Sequence, residues 1–318
     1  MMKISIVVPV YNEAEGLPRF LEALYSVMHA IGLPWTCLFV DDGSVDDSWA
    51  VIEHLSRDYS EVLGLRLSRN FGHQVALSAG IEHVDGDAVI TMDADLQHPP
   101  DLIPQLVAKW RQGFNIVNTL RANTPDTEWF KRHSSALFYL LLNKISDIPI
   151  IPAAADFRLL DRKAVDALLS MPERNRFLRG MVSWIGFNQT YVPFVPRPRT
   201  HGSSKFTLKK MIHLGLDGVT SFSLAPLRLA LMLGIGSIGL ALAYAIYVLW
   251  VKLMTDYAQP GWASLMGVVL FLGGVQLMTL GIFGEYLGKI FGETKHRPLY
   301  FVQERIGILN PPDRKRSS

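Results

Sequence analysis

The sequence predicts an α/β domain, a mostly parallel sheet with helices on both faces, followed by two helices that cross a membrane. Three observations carry the prediction. Short β-branched apolar runs alternate with helix-length segments through the first third of the chain. Those runs end in polar or acidic turns, and two long stretches near the other end carry no charge.

The first strand is Ile4-Ser5-Ile6-Val7-Val8-Pro9-Val10, an apolar run stopped by the turn residues Asn12-Glu13. A helix from about Glu15 to Ile31 follows. The second strand, Thr36-Cys37-Leu38-Phe39-Val40, ends at Asp41-Asp42-Gly43-Ser44, and Ser44 or Asp46 is placed to cap the next helix. Val62 to Leu67 is a third strand, Gln74 to Val84 a third helix, and Ala88-Val89-Ile90-Thr91-Met92 a fourth strand ending at Asp93-Ala94-Asp95. This β-α rhythm is the signature of a mostly parallel sheet, whose ligands bind at the carboxyl ends of the strands. The acidic clusters lie at those ends. Beyond Asn115-Ile116-Val117-Asn118-Thr119 the pattern loosens. Phe130 to Ile145 has an apolar core too short to span a bilayer and suits an interfacial or packed helix, and Ser203 to Phe222 sets Lys205, Lys209 and Lys210 among apolar residues as a basic amphipathic helix.

The 318 residues are 49% hydrophobic and 19% charged, with a mean hydropathy of +0.20, which excludes a disordered, collagen-like or disulfide-built chain. The excess apolar residues sit in Leu229–Val251 and Tyr257–Gly284, 23 and 28 uncharged residues. At a rise of 1.5 Å per residue these reach about 34 and 42 Å, against a hydrocarbon core of about 30 Å. Lys and Arg gather before the first run (Arg199, Lys205, Lys209, Lys210, Arg228) and after the second (Lys289, Lys295, Arg297, Arg305, Arg314, Lys315, Arg316), while the connector has Lys252 alone. The positive-inside rule makes the pair a hairpin in the cytoplasmic (inner) membrane with both flanks cytoplasmic. The amino terminus does not read as a signal peptide, since Ile4 to Val8 is short and meets Pro9. A net charge of +2 gives no reason to expect nucleic acid, and the lone Cys37 forms no intrachain disulfide.

Asp93-Ala94-Asp95-Leu96-Gln97 is the sharpest chemical signal. Two carboxylates two residues apart at a strand end are able to converge on one hard cation, Mg²⁺ or Mn²⁺, which bridges a diphosphate. Asp41-Asp42-Gly43-Ser44 is placed either to hydrogen-bond a nucleotide or to cap a helix. Neither a Gly-x-Gly-x-x-Gly after the first strand nor a P-loop occurs, which argues against a dehydrogenase and a P-loop ATPase.

With Val8-Pro9-Val10-Tyr11-Asn12-Glu13, Asp41-Asp42-Gly43-Ser44-Val45-Asp46, Asp93-Ala94-Asp95-Leu96-Gln97-His98-Pro99, Asp156-Phe157-Arg158-Leu159 and Arg199-Thr200-His201-Gly202-Ser203-Ser204-Lys205 in this order before the hairpin, the chain resembles the inverting family-2 glycosyltransferases of GT-A fold. The likeness is to their polyprenyl-phosphate branch, the dolichol-phosphate mannosyl- and undecaprenyl-phosphate glucosyltransferases, over about residues 3–300. It implies a catalytic domain over 1–200, an acceptor loop and amphipathic helix over 201–225, the hairpin over 226–286 and a cytoplasmic segment over 287–318. Carried over residue by residue, it implies that Pro9, Tyr11, Glu13, Val40 and Asp42 hold the nucleotide and that Asp93, Ala94, Asp95 and Gln97 hold the donor. Asp93, Asp95 and Gln97 form the metal set. Arg121, Arg132, Ser135, Arg199 and Lys205 hold the acceptor phosphate and the donor diphosphate, a task suited to cations. On the same resemblance Asp93, Asp95 and Asp156 are expected to be the catalytic carboxylates, Asp156 either orienting the sugar or acceptor or pairing with Arg158 or another cation. The implied reaction moves a sugar, glucose first, from a UDP-sugar to undecaprenyl phosphate.

Two other classes share parts of this pattern. A processive polysaccharide synthase calls for a Gln-x-x-Arg-Trp motif and more spans, and the sequence has neither. A non-catalytic lipid-binding or flipping partner has no need of Asp93 and Asp95. Gly234, Gly236, Gly239, Gly267, Gly273 and Gly274 permit close helix packing, from which a homo-oligomer is expected.

Overall fold

A computed structural model describes residues 2–122, 154–174, 176–195, 223–254 and 261–308. The chain divides into two compact units, one holding the sheet and one the two long helices.

In the first unit, β1 (Ile4–Val10), β2 (Trp35–Asp41), β3 (Val62–Leu67), β4 (Ala88–Thr91), β5 (Ile116–Arg121), β6 (Ala154–Asp161), β7 (Gln189–Phe194) and β8 (Val302–Ile306) form one sheet in the order β7-β5-β6-β4-β1-β2-β3-β8. β1 is parallel to β2 and β4, β2 is parallel to β3, and β5 is parallel to β7. β6 runs antiparallel to β4 and β5, and β8 antiparallel to β3. The sheet is therefore mostly parallel, as expected, with two reversed strands that the β-α rhythm does not reveal.

Burial explains the alternation. Ile4, Ile6, Val8 and Val10 of β1 share one core with α1 (Leu17–Ile31), α2 (Ser48–Asp58) and α4 (Ile103–Arg111). On the other face, α3 (His73–Glu82) lies so close to β1 that a Cβ on Gly80 would meet Val7 Cγ1 at 2.2 Å. Phe20 and Phe39, both fully buried, meet edge to face at 6.0 Å. Burying a side chain of that size contributes about 2 kcal/mol. Two shorter helices, α5 (Arg162–Ser170) and α6 (Leu178–Trp184), complete the described part of this unit.

Ser44 does not cap α2. That helix starts at Ser48, and the Ser44 hydroxyl instead accepts the Asn12 N–H at 3.0 Å, which ties the turn after β1 to the turn after β2. Asp46 does stand at the helix entrance, its Oδ1 accepting the Ser48 N–H at 3.0 Å.

In the second unit, α7 (Ala225–Met254) and α8 (Trp262–Thr294) are long and apolar enough to cross a membrane. α8 runs eight residues past the expected hairpin end at 286, with Glu285, Lys289 and Glu293 on its last, polar turns. The expected segment 287–318 is thus divided: its first residues finish α8, and Val302–Ile306 returns to the sheet as β8. Within one chain, a Cβ added at any of the six glycines noted above would meet nothing within 4 Å. The two amphipathic segments, Phe130 to Ile145 and Ser203 to Phe222, lie outside the described residues.

Candidate active site at the carboxyl edge of the sheet

Because β1, β2 and β4 are parallel, the turns that follow them open at one edge. Pro9 and Val40 are register partners buried in the sheet just below it. Above them, the β1 and β2 turns are laced together: the Val45 N–H donates to Asn12 Oδ1 at 2.9 Å, the Glu13 N–H to Ser48 Oγ at 2.9 Å and the Ala14 N–H to Asp46 Oδ2 at 3.3 Å. Burial pulls the Asp46 carboxyl up, but hydrogen bonds from the Ser48 side chain and N–H and from the Ala14 N–H outweigh it and hold the group below its usual range. Tyr11 stands at this edge 39% exposed.

Asp42 is nearly inaccessible. Its Oδ1 accepts the Phe71 N–H at 2.7 Å and its Oδ2 the Gly72 N–H at 2.9 Å, so it fixes the loop after β3 against the β2 turn. Burial raises its pKa, and the two backbone bonds and His73 oppose the rise. Gly43 has φ +67°, and a Cβ there would meet Arg69 C at 2.4 Å and Asn70 N at 2.6 Å, so the turn admits only glycine.

At the end of β4, Asp93 is held from two sides. His73 Nε2 lies 2.8 Å from Asp93 Oδ1, and the Asp93 N–H donates to His98 Nδ1 at 3.1 Å. His98 is buried, stacked on Phe157 with ring centroids 5.3 Å apart and edge-on to Phe194 at 5.8 Å. Burial lowers its pKa and keeps the ring neutral, so with Nδ1 accepting, the ring hydrogen is on Nε2. For His73, burial disfavours the charge, but the bond to Asp93 and the charges of Asp93 and Asp156 outweigh it and raise the pKa. Burial and the charge of Asp156 push Asp93 up, but the bond from His73 and the histidines beside it outweigh them and lower its pKa. Asp95 Oδ1 accepts the Gln97 N–H at 3.0 Å, and Leu96 between them takes φ +57°. The Asp93–Gln97 segment is therefore a turn that keeps both carboxylates at the edge.

Asp156, in β6, is committed to cations. Arg179 Nε and Nη2 donate to its two oxygens at 3.0 and 2.9 Å, Arg158 Nη2 donates to Oδ1 at 3.2 Å, and Gln74 Nε2 lies 3.3 Å from Oδ2. Burial works against its ionised form, but the two guanidinium groups hold it far below the ordinary carboxylate range. Burial brings Arg158 down to about 10, still charged at neutral pH. Of the two openings left by the sequence, pairing with a cation is the one the geometry displays.

Arg121 ends β5, exposed, at the same edge and near enough to His98 to oppose its charge. Arg132, Ser135, Arg199 and Lys205 lie outside the described residues. His73, His98, Gln74 and Arg179 were not singled out from the sequence as site residues. The Asn70-Phe71-Gly72-His73 turn after β3 was the available signal, since it follows a parallel strand as the acidic turns do.

Glycosyl transferase family 2 matches residues 5–169, and a second family, the GtrB C-terminal hairpin, matches residues 225–290. The chain belongs to glycosyl transferase family 2. The mixed sheet with its acidic edge is this family's GT-A fold, and the two long helices form its appended hairpin. Among relatives, the uncharacterized glycosyltransferase YkcC of Bacillus subtilis is 43% identical over 309 residues, 97% of this chain and 96% of that one. The bactoprenol glucosyl transferase of Shigella phage SfV is 39% identical over 302 residues, 95% and 98% of the two chains. A solved mannosyltransferase of Pyrobaculum calidifontis, in complex with GDP-Man and Mn²⁺, has 15% identity and a TM-score of 0.46 over 89% of this chain and 86% of that one.

Proposed function

We propose that this glycosyltransferase moves a sugar, with inversion, from a nucleotide-diphosphate sugar to the phosphate of a membrane polyprenyl lipid, with UDP-glucose and undecaprenyl phosphate as the pair to test first. One observation carries the reading. The Asp93-Ala94-Asp95 turn shares a sheet edge with the Asp42-Gly43-Ser44 turn, in a chain that also has two helices able to cross a membrane. The relative named bactoprenol glucosyl transferase, aligned over 95% of the chain, supports glucose and a lipid acceptor.

The acidic turn fits a hard divalent cation, Mg²⁺ or Mn²⁺. Asp93 and Asp95 would supply it with carboxylate oxygens, the donor type such an ion prefers. Gln97 stands beside them as the expected third protein ligand. When bound, such an ion neutralises the charge that develops on the departing diphosphate. The protein's own part is positioning. Tyr11 and Glu13, with Pro9 and Val40 beneath, hold the nucleotide, Asp42 serves them from below by fixing the turn through the Phe71 and Gly72 N–H groups, and Ala94 lets the donor approach the acidic turn. Arg121, together with Arg132, Ser135, Arg199 and Lys205, holds the phosphates. A phosphate monoester is already ionised near neutral pH, with a second pKa of about 6, so its oxygen attacks the anomeric carbon as the bond to the diphosphate breaks, with no base required. Asp156 acts here as an anchor for Arg158 and Arg179.

α7 and α8 anchor the enzyme. Because β8 follows α8 and pairs with β3, the chain on either side of the two helices belongs to one sheet, which supports an even number of crossings. The Lys and Arg distribution supports a cytoplasmic shared side. A homo-oligomer built through the glycines of the two helices completes the reading.

The test is transfer of label from a panel of radiolabelled UDP- and GDP-sugars to undecaprenyl phosphate in detergent. Label in the lipid phase from one donor supports the reading and names the sugar. No label from any donor, in a preparation that still binds the lipid phosphate, favours the non-catalytic binding or flipping partner.

A further inference from the structure

Asp41 is fully buried, and its surroundings reach across the whole length of the chain. Its Oδ1 accepts the Ser44 N–H at 2.9 Å, which sets the turn carrying Asp42 and Gly43. Its Oδ2 has no hydrogen-bond partner among the described residues, and the nearest cation is Arg66, with Nε at 3.4 Å. A carboxylate this far from water needs a charge held close to it.

The Arg66 side chain, near the carboxyl end of β3, is 27% exposed, and a side chain of this length has several rotamers open to it. What restrains it comes from β8. Arg66 and Glu304 are register partners across the β3–β8 ladder, and Arg66 Nη1 donates to Glu304 Oε1 at 2.9 Å. Glu304 is itself held, its Oε2 accepting the Trp49 Nε1–H at 3.2 Å, and the Trp49 ring lies 5.7 Å under the guanidinium. The Glu304 carboxylate thus fixes one end of the guanidinium while the other faces Asp41.

We propose that Glu304, carried by the strand that follows the two apolar helices, is a positioning residue for donor binding: through Arg66 it steadies the Asp41 carboxylate beneath the Asp42–Ser44 turn. The donor-holding turn is completed only by a strand that the chain supplies after the membrane hairpin. The inference rests on the reading that this turn holds the nucleotide. Glu304 touches no substrate and acts only through Arg66.

The experiment uses the full chain in detergent, with UDP binding measured by calorimetry in the presence of Mg²⁺ or Mn²⁺ and the donor and acceptor KM measured by label transfer. Glu304→Gln keeps the shape and an acceptor for Trp49 but removes the charge. It is expected to weaken UDP binding and raise the donor KM about five-fold, the size of an effect relayed through one intermediary, leaving kcat and the acceptor KM unchanged. Glu304→Asp is expected to recover part of the loss, and Glu304→Gln added to Arg66→Met is expected to cost nothing beyond Arg66→Met alone. Unchanged UDP binding in a folded Glu304→Gln protein overturns the positioning role and leaves the functional reading intact, as does additivity of the two substitutions. A wild type that binds neither UDP nor GDP overturns both.

Discussion

Asp156 and Arg179 face each other through two hydrogen bonds, Nε to Oδ1 at 3.0 Å and Nη2 to Oδ2 at 2.9 Å, in the bidentate fork that guanidinium and carboxylate make best. Arg158 takes a third position on the same carboxylate. A carboxylate engaged in this way neither accepts a proton readily nor is free to attack, so Asp156 serves to fix β6 to α6.

Asp156→Asn is expected to lower stability by about 3 kcal/mol, because it leaves the buried Arg158 without a counter-charge. The pH dependence follows from the depressed pKa. The stabilisation is present above the unfolded carboxyl value of about 3.9 and is lost as the pH falls through the lower folded value. Thermal unfolding of the two proteins, followed from neutral to acid pH, is expected to show a gap that narrows only at the acid end.

His73→Ala removes the side chain that orients Asp93 Oδ1. Losing an outer partner of a metal-binding carboxylate costs about 10-fold or more in metal affinity or activity. Titrating transfer activity with Mg²⁺ and with Mn²⁺ is expected to show a higher metal requirement in the variant. An unchanged titration would mean that Asp93 is held well enough by its backbone bond to His98.

Gly43→Ala places a Cβ against the backbone of Arg69 and Asn70, and it also forces alanine into φ +67°. The conformation alone costs about 1–2 kcal/mol, and the overlap with main chain adds to it. UDP binding is expected to fall before global stability does, since the strain is local to the turn. Calorimetry beside a thermal melt separates the two.

Asp42→Asn leaves one oxygen to accept where two now serve the Phe71 and Gly72 N–H groups. One of those donors loses its partner, at about 1–3 kcal/mol, and the loop after β3 loosens. A raised donor KM with an unchanged acceptor KM is the expected result.

How far the sequence foretold this follows from the range of each interaction. β1 to β4 and the acidic turns were legible because each is a local run, such as Ile4 to Val10 meeting Asn12, whose pattern is complete within a few residues. β8 carries no period-two signal in the sequence, since Gln303, Glu304 and Arg305 stand together between Val302 and Ile306. Its partner Arg66 lies far away in sequence, and a hairpin separates them. The reversal of β6 and the pairing of Asp156 with Arg179 are likewise settled by which strands meet. His73 escaped notice as a site residue because a histidine at the start of a helix looks ordinary until β4 brings Asp93 within 2.8 Å. The Ser44 cap failed for a related reason: the turn after β1 takes its hydroxyl first.

The most direct test of the account is label transfer from the preferred UDP-sugar to undecaprenyl phosphate by wild type and Asp95→Ala, each with and without EDTA. A fall of about 100-fold or more is expected on either treatment, reflecting several kcal/mol of charge stabilisation at the diphosphate, with no further loss when the two are combined. Transfer that persists unchanged in Asp95→Ala and in EDTA would contradict it.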